Sequence, residues 1–170
     1  MTTSPESDDR IVGSLRRLDD ERAAVRVEDI YDTDIDDLWS ALTDPSRLAH
    51  WIATVEGDLR PGGRFHAHFT SAHEGLGRID VCEAPRRLLV TLDPGTSEET
   101  VIEARLNAIG DQTRLVIEER SLPIGEIAVH GAGWQAHVED LAAYLSGRPG
   151  AWQRRWAQLT PRYEEMAERL

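Results

Sequence analysis

The sequence predicts an α+β fold in which a curved antiparallel sheet wraps around a long C-terminal helix, and three observations predict it. A strand-like segment, Arg22 to Tyr31, runs into two short stretches of helical period. From Val55, about seventy residues then carry strand patterns and turn signals, before Gly125 to Ser146 returns to helical spacing. An antiparallel run buries only one face by itself, so the terminal helix is its natural cover.

Taken in order, residues 1–10 are rich in Thr, Ser, Pro, Glu and Asp and offer no apolar run to repay the entropy of ordering, so a loose tail is expected there. Ile11 to Leu18 and Arg22 to Tyr31 flank Asp19-Asp20-Glu21, a polar break short enough for a hairpin turn, and Val25 and Val27 share one strand face. Ile35, Leu38, Trp39 and Leu42 then recur at helical spacing behind Thr33 or Asp34, either of which suits an N-cap. Asp44-Pro45 supplies a second cap with proline at the first helical position, and Leu48, Trp51 and Ile52 form the apolar face of a second short helix.

Punctuation at Pro61-Gly62-Gly63, Glu74-Gly75, Ala84-Pro85, Asp93-Pro94-Gly95 and Gly110-Asp111 divides the next region into six strands. The expected spans are Val55 to Leu59, Arg64 to Thr70, Gly77 to Glu83, Arg87 to Leu92, Glu99 to Ala108 and Gln112 to Ser121. In the last, Leu115 and Ile117 alternate with Arg114, Val116, Glu118 and Arg120. Ile127, Gly131, Trp134, Val138, Leu141 and Leu145 make the stripe of the long helix, which stops at Gly147 and Pro149. Trp152, Trp156, Leu159, Tyr163 and Met166 continue a helical stripe beyond it, with Thr160-Pro161 as a fresh cap or a kink.

Composition narrows the function classes. Acidic residues outnumber basic ones 31 to 19, a formal charge of −12 that repels a phosphate backbone, so no nucleic acid and no anionic membrane surface is expected as partner. No stretch approaches a membrane span or a secretory h-region, and a cytoplasmic location is the expectation. The single cysteine, Cys82, has no partner for a disulfide or a thiolate metal site and is expected to sit in a strand as a small buried hydrophobe.

Several local wordings occur in a telling order: Ile35 to Trp51 (IDDLWSALTDPSRLAHW), Asp58 to Phe65 (DLRPGGRF), Gly77 to Val81 (GRIDV), Pro85 to Leu89 (PRRLL), Thr113 to Leu115 (TRL), and Gly133-Trp134 followed by Leu141 and Leu145. In these the chain resembles the Bet v 1-like or START/SRPBCC superfamily, and within it the AHSA1-like group related to the C-terminal domain of the activator of Hsp90 ATPase. The resemblance covers Arg22 to Gly147. It implies a helix-grip fold with two short helices after the first long strand and an apolar cavity under the long helix. The domain is expected over residues 11–147, and 148–170, outside the resemblance, reads from its stripe as a C-terminal amphipathic helical extension that either packs on its own domain or joins two copies in a homodimer.

The polar motifs have bland readings beside their functional ones. Pro61-Gly62-Gly63 reads as a tight turn between strands, since a phosphate cradle needs a following helix N-terminus. His66 and His68 share one strand face at a spacing that suits two zinc ligands, with His73, Asp80 or Glu83 to complete a site. Phe65, Ala67 and Phe69 make the better inward face, so solvated histidines and no metal are expected. His130, Trp134, His137 and Leu141 stand at i, i+4, i+7 and i+11, which would set both histidines beside the tryptophan at the cavity; the alternative is a boundary histidine satisfied by solvent or a carbonyl. Glu103 and Arg105 face Glu118 and Arg120 one hairpin apart and read as cross-strand ion pairs on a solvated face.

Three functions follow as expectations. The first is binding of a small apolar or aromatic molecule, without a cofactor, in a cavity lined by Trp39, Trp51, Phe65, Phe69, His130, Trp134, His137 and Leu141. The second, suggested by the polyketide cyclases of the wider superfamily, is an acid–base enzyme using His130, His137 or Glu118 in that cavity. The third is an interaction role with an Hsp90-type chaperone, as the related co-chaperone domain would suggest.

Overall fold

The computed structural model describes residues 10–170, so the tail expected over the first nine residues lies outside the described part. The elements are β1 (Gly13–Arg17), β2 (Arg22–Tyr31), α1 (Ile35–Thr43), α2 (Pro45–Leu48), β3 (Ala53–Gly57), β4 (Arg64–Phe69), β5 (Glu74–Glu83), β6 (Arg87–Leu92), β7 (Thr100–Ile109), β8 (Gln112–Pro123), α3 (Ile127–Leu145) and α4 (Trp152–Ala167). The strands form one eight-stranded sheet in the order β1-β2-β8-β7-β6-β5-β4-β3, antiparallel at every pairing. This is the α+β helix-grip arrangement, with the two short helices after the second strand. No helix among the described residues is long and apolar enough to cross a membrane.

Local chemistry accounts for the joints. Asp19 Oδ1 accepts from the backbone N–H groups of Glu21 and Arg22, both at 2.8 Å, and so closes the β1–β2 turn. Asp34 caps α1 by accepting from Asp37 N at 2.8 Å, and Asp44 caps α2 by accepting from Ser46 N at 2.9 Å, with Pro45 in the first turn where its missing N–H costs nothing. α3 is stopped by Gly147 just past its end, whose φ of 70° lets Arg148 N bond back to Ala143 O at 2.8 Å. α4 passes through Pro161 without stopping, and the Thr160 hydroxyl donates to Trp156 O at 2.6 Å one residue before the proline.

Strand pairing sorts side chains between two faces. Val25 and Val27 on β2, Leu115 and Ile117 on β8, and Ala104 and Leu106 on β7 point inward and are buried with Trp51, Trp134, Val138 and Leu141 in the main core. α3 crosses this inner face over β2 and β1, while α1 packs against β7 and β8. α4 lies on the far side of α3. Its Leu159 and Tyr163 are buried against Ala132, with Ile11 and Leu15 at the margin. The small residues Gly131 and Gly133 admit it, since a Cβ on Gly131 would meet the Tyr163 ring at 2.5 Å and one on Gly133 would touch Trp152 at 3.4 Å.

Three expectations change. β3 runs from Ala53 to Gly57 instead of Val55 to Leu59, because Gly57 takes a φ of 136° and turns the chain before Leu59. β5 begins at Glu74 instead of Gly77: the hairpin turn occupies residues 70–73, with Ala72 at a φ of 68°. Cys82 is exposed, not buried. It pairs with Leu88 at the far end of β5, away from the strands that α3 covers.

Candidate functional site

Beyond the strands that α3 covers, the inner face of the sheet is apolar. Cross-strand pairing puts Phe65 and Phe69 on β4, Leu88 and Val90 on β6 and Ile102 on β7 on this side, and all five are only partly buried. Partly buried apolar side chains that point inward make this face a candidate cleft, and Trp134 of α3, 7% exposed, is the helix side chain proposed to flank it.

Bonded to that side chain is a carboxylate. Glu119 projects from β8 opposite Val25 and Ile102 and is 6% exposed. Its Oε1 accepts the Trp134 indole N–H at 2.8 Å and its Oε2 accepts the Thr100 hydroxyl at 2.8 Å. A charge placed on an apolar face is costly unless it is hydrogen-bonded, and this one has a donor on each oxygen. Each oxygen also keeps a lone pair for a further donor.

His137 sits one turn along α3, its ring 5.8 Å from that of Trp134 and 5.3 Å from that of Trp152, which α4 brings in from the other side. Thr70 Oγ1 lies 3.5 Å from its Nδ1. Burial pushes the imidazole down to about 3, against a smaller opposing effect of a hydrogen bond with the Trp51 backbone, so the ring is neutral at physiological pH. Trp152 and Trp156 stack at 5.7 Å and hold α4 to α3 by donating to Gly133 O at 3.0 Å and Val129 O at 3.1 Å.

The residues singled out from the sequence fall into different places. Phe65 and Phe69 lie on the inner face of β4, and Trp134 and His137 are neighbours on α3 with rings 5.8 Å apart. Trp39 is partly buried at the margin of the core, Leu141 is completely buried within it, and Trp51 is a buried plug whose indole N–H donates to Ala41 O at 2.9 Å. His130 departs from its expected place beside Trp134: it is half-exposed with Nε2 3.7 Å from Glu126, one turn back on the flank of α3. Glu118 is likewise corrected. It points to the outer face, within ion-pair reach of Arg120 at 3.2 Å and Arg16 at 3.3 Å, because alternation on β8 turns its neighbour Glu119 inward. Glu119, Thr100 and Trp152 were not among the expected site residues, although extending the inward series Leu115, Ile117 by two positions reaches Glu119.

The outer face carries the ion-pair ladder the sequence suggested. Glu103 is within 2.7 Å of Arg87, 3.0 Å of Arg105 and 3.1 Å of Arg120. A depression of about 350 Å³ on this face is lined by Arg26, Glu28, Glu103, Arg105, Arg114 and Glu118 among others. Its charges are satisfied by one another, and Val116 is the one apolar side chain in its lining. The cleft at Trp134 and Glu119 is the better candidate for a small apolar molecule.

Known proteins agree with this architecture. The crystal structure of CalU16 from Micromonospora echinospora is 28% identical with a TM-score of 0.76, covering 91% of this chain and 96% of its own. DynU16, described as a protein in the dynemicin biosynthetic locus, is 28% identical with a TM-score of 0.68 over 74% of this chain and 48% of its own. An HSP90 activator from Plasmodium falciparum shares the fold at 17% identity, with a TM-score of 0.60 over 75% of this chain and 99% of its own. A search of curated proteins finds no match. The family model described as activator of Hsp90 ATPase homolog 1-like protein matches residues 32–146, from the end of β2 to the end of α3. That stretch holds Trp134, Glu119 and every strand of the cleft, and the chain accordingly belongs to the activator of Hsp90 ATPase homolog 1-like family.

Proposed function

We propose that this protein binds a small apolar or aromatic molecule in the cleft between Trp134 and the inner face of β4 to β7. The observation that carries the reading is Glu119, a buried carboxylate held by Trp134 and Thr100 beside a surface of partly buried apolar side chains. Such a floor orients a ligand that brings a hydroxyl or N–H donor to an apolar body, because few polar groups on a hydrophobic surface fix orientation while burial supplies affinity. The similarity to DynU16, a protein of a biosynthetic locus, supports a small molecule as the occupant.

An acid–base enzyme in the same cleft has less support. A histidine with a pKa of about 3 is a poor proton acceptor at neutral pH, and His130 and Glu118 face elsewhere. The chaperone reading rests on the family description and on a neighbour that shares only the fold.

The test is saturable binding of anilinonaphthalene sulfonate, an aromatic probe, followed by fluorescence. Ile102→Trp and Val90→Trp fill the cleft from two strands and each should abolish the enhancement, whereas Arg114→Ala on the outer face should leave it intact. Undiminished binding to both cleft variants would sink the reading.

A further inference from the structure

The β4–β5 hairpin builds a donor set on the outer face that the proposed ligand cleft does not use. His66 and His68 stand two residues apart on β4, and the turn over residues 70–73 returns β5 so that Glu74 lies directly opposite His68. His66 Nε2 is then 2.9 Å from Glu74 Oε1 and His68 Nδ1 is 3.5 Å from Glu74 Oε2, with the two imidazole rings 4.5 Å apart and nearly perpendicular. All three donor atoms fall within 4.8 Å of one another. On the other side, Glu56 of β3 is directly opposite His66, on the same face.

We infer that His66, His68 and Glu74 form a surface site for a divalent transition cation of the zinc class. Tetrahedral zinc with donors at about 2.0 Å holds its ligand atoms about 3.3 Å apart, so three donor atoms that lie within 4.8 Å of one another reach that spacing by closing up by at most about 1.5 Å. Two imidazoles with one carboxylate suit zinc, nickel or copper(II) better than magnesium or calcium, which prefer oxygen donors throughout. The ligands sit on two paired strands of a short hairpin, so little chain entropy is lost when a cation draws them together. Glu56 is placed by register to bring a fourth donor, and the formal charge of −12 favours cation approach. The same strand turns Phe65 and Phe69 toward the cleft, so a cation here would stiffen one wall of it from behind.

The experiment is calorimetric titration of tag-free protein with zinc chloride, using His66→Gln, His68→Gln and Glu74→Gln singly and the two histidine substitutions together. These side chains are 36%, 57% and 58% exposed, so the fold should persist, and circular dichroism checks that it does. One zinc per chain is expected. Each single substitution should weaken binding by more than about tenfold, the least that losing even an outer partner of a metal site costs, and the double variant should bind none. A His73→Gln, His130→Gln variant should bind as the parent does. Absence of binding to the parent below millimolar zinc, or equal binding by the double variant, overturns the inference and leaves the cluster as a histidine–glutamate surface pairing.

Discussion

Trp134 donates its indole N–H to Glu119 at 2.8 Å, tying the long helix to the last strand through a carboxylate buried at 6% exposure. The bond fixes Trp134, the helix side of the proposed cleft, to β8, the strand beside β7. Glu119→Ala orphans both the Trp134 N–H and the Thr100 hydroxyl, and each unpaired buried donor costs about 1–3 kcal/mol. Urea unfolding should show that loss. Trp134→Phe, combined with it in a double-mutant cycle, should reveal coupling of about 0.5–3 kcal/mol, since the two act on one hydrogen-bonded unit. Strict additivity would mean that the bond is absent in solution.

A glycine provides the next prediction, because two effects of known size oppose each other there. Within a helix, Gly→Ala gains about 1 kcal/mol of propensity. At Gly131 the new methyl would come within 2.5 Å of the Tyr163 ring and 3.1 Å of Leu15. Tyr163 is fully buried and its hydroxyl donates to Gln135 Oε1 at 2.7 Å, so the ring has nowhere to go. Overpacking costs about 1–3 kcal/mol and should win, lowering Tm for Gly131→Ala and loosening α4 to protease. Gly125→Ala, where nothing lies within 4 Å, should not lower it.

How much of this was legible in the sequence depended on whether one element or two decided the outcome. Strand alternation on β8 and the helical stripe through Trp134 are properties of single elements, and both were readable from residue order. Glu119 follows the same alternation, but a carboxylate after Leu115 and Ile117 breaks the expected apolar pattern, and its meaning depends on Trp134 and Thr100 arriving from elsewhere. Glu74 as a third donor for His66 and His68 depends on the hairpin register, which shifts if the turn is placed by two residues. α3 is buried on two sides because α4 lies on it, and the signal for that second contact was the pair Gly131 and Gly133, of which Gly131 reads from the sequence only as part of the apolar stripe and Gly133 only as part of the Gly133-Trp134 wording.

On the outer face, Glu103 is the hub for Arg87, Arg105 and Arg120 and is 12% exposed, while its partners range from 29% to 58%. Partly exposed partners are screened, so Glu103→Gln should cost about 1 kcal/mol in low salt. The loss should shrink as sodium chloride approaches 1 M, because the Debye length then falls to about 3 Å. A penalty that does not change with salt would assign the effect to packing instead of charge.

The last prediction concerns acid stability and follows from the burial of His137. In the folded protein its pKa is down at about 3, whereas in the unfolded chain a histidine titrates near 6.5. Above about pH 6.5 the ring is neutral in both states and stability does not depend on it. Below that, the unfolded chain takes up a proton that the fold refuses, so stability falls by up to about 1.4 kcal/mol per pH unit until the folded ring also protonates near pH 3. Carboxylates held low by their arginine or threonine partners, such as Asp80 and Glu103, weaken the fold only below their unfolded values near pH 4. Asp140, raised by burial, acts in the opposite sense and at higher pH: between its raised folded value and the unfolded value near 4 the folded state holds the extra proton, so stability rises as pH falls through that interval. Comparing wild type with His137→Gln cancels those contributions. The variant should be less stable at pH 7, where it loses the packing between Trp134 and Trp152, yet its stability should fall less steeply between about pH 6.5 and 4.5. Parallel curves through that window, measured by urea unfolding at each pH, would show that His137 is accessible to protons in the folded protein.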